Sequence, residues 1–558
     1  MERRDFLLLK RKKTITPNDS IRSVAIQTGL TPYNGPWTNK EIAHLLKRTQ
    51  FGVSPTTLNA FKAMTVGQAI QTLLTPTTVN PAPPIKNYDN SSIPTTDQEL
   101  NVAMGETWVQ TITGDGTANS RRVTSFKSWW IGQMLNQDNS ILEKMVLFWH
   151  NHFSTETADY ARGTFAYKYQ TLIRQNALGN FKNLVKLMST ELAMLRYLNG
   201  YLNTATAPDE NYGRELQELF TLGKENNPNY TEDDVKAAAK VLTGWTLNYT
   251  SESAIFSASR HDKNDKQFSS FYNNTVIKGW SDANAGETEL NDLLTMIFSK
   301  NVEVSEHIVR KFYRWFCYYT IDSVTETNVI KPLAKIFRDS NWEVKPVLSA
   351  LLSSEHFFDE LNQGCMIKSP LDMVIGMCRE FKVVFPDASD YVNAYNMWNY
   401  IRGRASNMQQ NLGDPPNVAG WPAYYQVPQF YEIWINSDTL PKRNQFTDLM
   451  ISPGYTLSGK KIIIDAVAFT KLLPNPGDPN ALINDALDIL FRVPISDTSK
   501  KMIKEQILLT NQTQDYYWSN AWNAYLAAPT DATALNTVNT RLKNLYKYFM
   551  NLAEYQLA

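Results

Sequence analysis

Cysteine is nearly absent. Cys317, Cys365 and Cys378 are the only three in 558 residues, and their spacing argues against both a zinc-thiolate site and a disulfide framework, leaving core thiols as the simplest reading. Net charge is missing too. Lys plus Arg and Asp plus Glu each number 55, so no long-range field steers the chain toward nucleic acid or an acidic surface, although a local basic cleft stays open. No apolar run is long enough to cross a bilayer. Histidine is also sparse, with six in the chain.

Aromatic residues are abundant by contrast. With 14 Trp, 27 Tyr and 25 Phe in a 43% hydrophobic composition, the chain reads as densely packed and globular rather than disordered. Its length allows one large fold or several domains. The start, MERRDFLLLKRKK, places Arg3 and Arg4 before Phe6 to Leu9 in the manner of a twin-arginine export signal, but the apolar run stops at Lys10. We read residues 1–37 as a basic arm of a cytoplasmic protein, with export or envelope association as the alternative.

Amphipathic runs predict a mainly α fold: a large multi-helix core with long ordered loops and a small β hairpin. Residues 38–119 form an N-terminal helical and loop segment, and 120–558 the main helical domain. Thr38 or Asn39 caps a first helix whose apolar face is Ile42, Leu45 and Leu46. Thr231 with Asp234 marks another helix start, Gly244 its end, and Pro370 suits a first turn. The hairpin is expected within SESAIFSASRHDKNDKQF and FYNNTVIKG. NLGDPPNVAGWPAYYQVPQFYEIWI is aromatic, Pro-rich and aperiodic, and reads as an ordered loop in which Asn417 and Trp421 either pack in the core or line a glycan or peptide cleft.

The stretch PDENYGRELQELFTLG, Pro208 to Gly223, carries the sharpest question. On an α-helical wheel Tyr212, Leu216, Leu219 and Phe220 form the packing face, with Glu210, Arg214 and Gln217 opposite. Glu215 and Glu218 flank the apolar side, so Glu215 needs a charge partner, hydrogen-bond donors or a cation. FWHNHFS brings His150 and His152 to a helix end, and SRHDKNDKQF adds His261, Asp262 and Lys266. Histidine and carboxylate together can build a metal shell or an acid-base pair, yet each pair also serves as an ordinary structural network. No sequence word as specific as HExxH is present.

Several of these phrases, in this order, resemble the bacterial domain-of-unknown-function family 1800. They are HLLKRTQFG, FWHNHFS, NALGNFKNL, the Pro208–Gly223 stretch, YTEDDVKAAAKVLTGW, HDKNDK, LGDPPNVAGWP and NLAEYQL, spanning about Thr38 to Leu557. The resemblance implies a large, mostly helical fold and no particular reaction; members commonly look exported. It matches the family's histidine word at His150 and His152. It departs at Asp209 for Asn, Gly213 for Ala, Lys240 for Arg and Asn264 for Gly.

Two functional readings follow. The first is a metal-dependent hydrolase with a divalent cofactor. Its ligands would be His150, His152, Glu215, His261 and Asp262, its catalytic groups Glu215, Glu218 and His261, and its substrate contacts Arg214, Lys266, Asn417 and Trp421. The second is a protein- or glycan-binding or assembly protein whose His and acid motifs brace the helices.

Overall fold

Helix starts follow local side-chain chemistry. Thr38 and Glu41 close a capping box on α1 (Asn39–Thr49), occupying amide donors that a first turn leaves free. Ile42, Leu45 and Leu46 on this helix are fully buried. The computed structural model describes residues 26–224, 229–421 and 432–558. Residues 1–25 of the expected arm and 422–431 of the aromatic loop lie outside the described residues.

The chain continues through α2 (Gly116–Leu135), α3 (Leu142–His152), α4 (Gly163–Asn176) and α5 (Leu192–Tyr197). The short α6 (Asn211–Glu215) runs directly into a π-helical turn, Leu216–Thr221. Next comes α7 (Glu232–Val241), opened by the Thr231–Asp234 capping box expected from sequence. Two small antiparallel hairpins follow where one was expected: β1 (Trp245–Asn248) with β2 (Ser253–Phe256), then β3 (Lys266–Gln267) with β4 (Val276–Ile277). Helices resume with α8 (Ala285–Ser299), α9 (Asn301–Phe316), α10 (Pro370–Glu380) and α11 (Tyr391–Asn407). A third hairpin, β5 (Tyr455–Leu457) with β6 (Lys460–Ile462), precedes the long α12 (Ala532–Asn551) near the C-terminus.

The fold is mainly α. Among the described residues, the strands form two-stranded antiparallel sheets only. α11 lies along α2, and α4 packs against both α2 and α3. One buried apolar cluster runs from Ile42 to Tyr555. A buried ion pair fastens its two ends: Lys47 on α1 reaches Glu380 on α10 at 2.5 Å, and Tyr555 donates to the second Glu380 oxygen at 3.1 Å. All three cysteines are buried. Among the described residues, no helix is long and apolar enough to cross a membrane.

Gly213 is explained by packing. A Cβ there would stand 3.1 Å from the Ala239 amide nitrogen, so the glycine lets α6 approach the backbone of α7 more closely than the alanine of the family word would.

Candidate functional site

The Pro208–Gly223 stretch starts as an α-helix and then widens. The Leu222 amide donates to the Gln217 carbonyl at 2.9 Å, and Thr221 Oγ1 donates to the Leu216 carbonyl at 2.5 Å. Both bonds span five residues; the backbone one is the π-helical pattern, which turns each later side chain away from its α-helical direction, and the Thr221 hydroxyl reinforces it. Gln217 shows the consequence. It was expected on the exposed side with Glu210 and Arg214, yet it is buried, donating to the Gly213 carbonyl at 3.0 Å and accepting from the Tyr272 hydroxyl at 2.6 Å.

Distant residues close the end of this turn. His152 Nε2 donates to the Phe220 carbonyl at 3.2 Å, while His307 Nε2 and Lys311 Nζ donate to the Leu219 carbonyl at 3.1 and 3.2 Å. Lys311 also donates to His152 Nδ1 at 3.0 Å. Donors, one of them cationic, thus meet carbonyls that a helix C-terminus leaves exposed. Burial above all, with Lys311 next, holds both His152 and His307 well below the usual imidazole range, so both rings are neutral. Gly223 sits at φ +73°, where a Cβ would fall 2.2 Å from His307 Nδ1.

The turn carries Glu215 at the edge of burial. Its Oε2 is buried and has no hydrogen-bond partner among the described residues. Desolvation first and the neighbouring Glu218 second push its carboxyl up to about 7, against the pull of Lys224 and Arg214. Glu218 is paired with Lys224. Arg214 is occupied elsewhere, forked onto Glu232 at 2.7 and 2.6 Å and bonded to Glu210 at 3.0 Å. The Tyr197 hydroxyl donates to Glu156 at 3.2 Å and lies within electrostatic reach of Glu215. Burial, then Asp159, also raises the Glu156 carboxyl. Close by in sequence, the buried Glu191 is pushed up to about 7 by desolvation, and its Oε1 has no partner among the described residues.

His150, His152 and His261 each take different partners. His150 packs edge-on against Trp130, Tyr169 and Trp421 at 5.2, 5.7 and 5.4 Å between ring centroids. The Tyr169 hydroxyl donates to the Phe153 carbonyl, so it accepts from His150 Nδ1 at 3.1 Å and leaves Nε2 as a buried lone pair without a partner among the described residues. Burial takes this imidazole down to about 3.

His261 lies in a third environment. Its Nδ1 meets the Thr243 carbonyl at 2.8 Å and its Nε2 the Glu289 carboxylate at 2.9 Å. Both ring nitrogens are thus engaged by protein atoms, which leaves neither free for a metal. Lys266 is fully buried beside it, its ammonium 2.6 Å from the other Glu289 oxygen. Asp262 Oδ1 accepts from the Asn264 amide and side chain at 2.8 and 2.9 Å, which fixes the loop. Among the described residues, no group of three or more His, Cys, Asp or Glu side chains is placed to hold a metal ion.

The remaining candidates divide between bracing and a cleft. Asn417 makes a turn, its side chain accepting from the Ala419 amide at 2.9 Å. Trp421 is buried, its amide bonded to Asn151 Oδ1 at 2.8 Å, and it lines a cleft together with Trp315 and Asp372.

The family described as "Protein of unknown function (DUF1800)" matches residues 44–557. The chain belongs to the DUF1800 family. No curated protein matches the chain, and no solved structure does. The geometry gives two of the DUF1800 words in this chain a shared purpose, because His152 of FWHNHFS caps the turn that carries Glu215. Sequence reasoning missed Glu289, His307 and Lys311. Glu289 had left a trace: it shares a helical face with Leu293, Met296 and Ile297, all buried, and an acid on an apolar stripe calls for a buried partner.

Proposed function

We propose that the Glu215 turn is the acid-base site of an enzyme, with hydrolysis as its reaction class and a neutral polar molecule as its substrate. The observation that supports this is the buried, unpartnered Oε2 of a carboxyl otherwise at the solvent boundary. A carboxyl poised near 7 by burial and a like charge exchanges protons at neutral pH, as a general acid or base must. Arg214 and Glu218 are positioning groups in this reading, since each is already ion-paired. Lys266 and His261 belong instead to a brace around Glu289, and on that loop the bracing reading is favoured.

The test is turnover of nitrophenyl glycosides, nitrophenyl esters and nitroanilides by the full chain between about pH 5 and about pH 9. One class is expected to turn over with an inflection near 7 and to lose at least ~100-fold in E215Q. E287Q, altered at an exposed pair with Lys186, serves as the control with wild-type rates. Absence of turnover in all three classes, or equal rates in E215Q, overturns the proposal.

Stability offers a second measurement. Because the folded carboxyl holds its proton to about 7 while the unfolded one releases it near 4.3, stability falls as pH rises through that interval and then levels. E215Q is therefore expected to be more stable than wild type by about 1–2 kcal/mol at about pH 8, after allowance for solvent screening, and equal to it near pH 4. Urea unfolding at the two pH values reads this difference.

A further inference from the structure

A small cleft opens between α3, the end of α9 and the start of α10. Trp315, half-buried, and the buried Trp421 form aromatic walls, with Met366 beside them. The polar groups on this surface are unusually well defined. Gln410 Oε1 accepts from the Leu371 amide at 2.8 Å, and Asn151 Oδ1 accepts from the Trp421 amide at 2.8 Å. Backbone N–H donors thus fix which end of each side-chain amide is oxygen, and each NH₂ group is directed the other way. Among the described residues, neither NH₂ donates to any partner, and the buried Trp421 indole N–H has none either.

Charge on the cleft surface cancels. Lys144 is paired with Asp372, which also accepts from the Ser369 hydroxyl at 2.9 Å. A free anion or cation would have to break that pair. What the surface offers is neutral: spare N–H donors, a carboxylate and a hydroxyl that can accept, and flat aromatic walls. A pyranose ring complements such a surface, because it carries hydroxyls that both donate and accept around its edge and a C–H face that packs on an indole.

We infer that this cleft is a binding site for a neutral sugar ring, with Asn151 and Gln410 donating to its oxygens, Asp372 accepting from a hydroxyl, and Trp315 against its apolar face. None of the residues that line the cleft belongs to the Glu215 turn. Occupancy of the cleft does not depend on the acid-base proposal.

The test is saturation-transfer NMR on the full chain with glucose, galactose, N-acetylglucosamine and cellobiose as probes. At least one is expected to show saturable transfer concentrated on one face of its ring. N151D keeps the half-buried oxygen that accepts from the backbone but loses the NH₂ group, so it is expected to weaken binding at least ~10-fold while the unfolding transition stays near that of wild type; Q410E is expected to weaken binding likewise and, because the position is buried, to lower stability as well. W315A is expected to weaken it by a similar factor, and E215Q to leave it unchanged. Absence of saturable transfer from all four sugars overturns the inference, as does wild-type affinity in N151D, Q410E and W315A together. If E215Q alone abolished binding, the sugar would belong to the Glu215 turn and the cleft assignment would fall.

Discussion

Replacing Glu289 by glutamine is expected to destabilise the protein by about 3–5 kcal/mol, the usual cost of breaking a buried ion pair from one side. Glu289, His261 and Lys266 have no side-chain exposure. One carboxylate oxygen accepts from His261 at 2.9 Å and from the Trp280 amide at 2.8 Å; the other faces the Lys266 ammonium at 2.6 Å. Glutamine keeps the volume but presents an NH₂ group to one of these donors and leaves the Lys266 charge without its counter-ion. The neighbouring Glu287 is 64% exposed on its side chain and pairs with Lys186 at 2.9 Å, so E287Q is expected to shift stability by no more than ~0.5 kcal/mol. Urea unfolding of the two variants beside wild type checks this. Coincident curves for E289Q and wild type would show that the loop does not depend on the triad, and would return His261 and Lys266 to the pool of functional candidates.

The same triad marks where the sequence stops being informative. His261 and Lys266 stand in a polar, Asp-rich loop, and such a loop reads equally as a brace or as a site. What decides is the carboxylate donated by α8, more than twenty residues further on. Local signals were sufficient elsewhere. The caps at Thr38, Thr231 and Ser369 are made by side chains two or three residues from the amides they satisfy, and all three helices begin there. The position of Glu215 beside the packing face was also legible, because the α-helical period holds as far as Leu216. Beyond it the wheel fails, since the five-residue hydrogen bonds are stabilised by His152, His307 and Lys311 from helices distant in sequence. No period in PDENYGRELQELFTLG could have announced them.

Histidine scarcity was a weak guide for a related reason. All six rings are buried, and a buried ring takes the nearest complementary atom whether or not another histidine lies close in sequence. His150 and His152 are two residues apart and diverge, one toward the Tyr169 hydroxyl and the other toward the Phe220 carbonyl. His356, which looks isolated in sequence, bonds Tyr313 at 3.0 Å and the Thr28 carbonyl at 3.1 Å.

His152→Ala is expected to cost about 3–5 kcal/mol as well, through the lost imidazole volume and the Phe220 carbonyl left without its donor. Size alone would not distinguish a cap from any other buried ring, and His356→Ala should cost a comparable amount. The discriminating quantity is coupling to Glu215. If His152 holds the end of the π-turn, its removal relaxes the segment that keeps Glu215 Oε2 buried, and the pH-dependent penalty of that carboxyl shrinks. A double-mutant cycle of H152A with E215Q at about pH 8 is then expected to give a coupling of at least ~0.5 kcal/mol, while H356A with E215Q gives none. H152Q, whose amide can donate to the same carbonyl, should recover part of the loss. Metal analysis supplies an independent check, because both nitrogens of His152 are occupied by Phe220 and Lys311. Equal metal content in wild type and H152A agrees with the cap. Bound metal in the wild type that H152A fails to retain, or an additive cycle, would mean that His152 serves the site directly rather than by holding the turn beneath it.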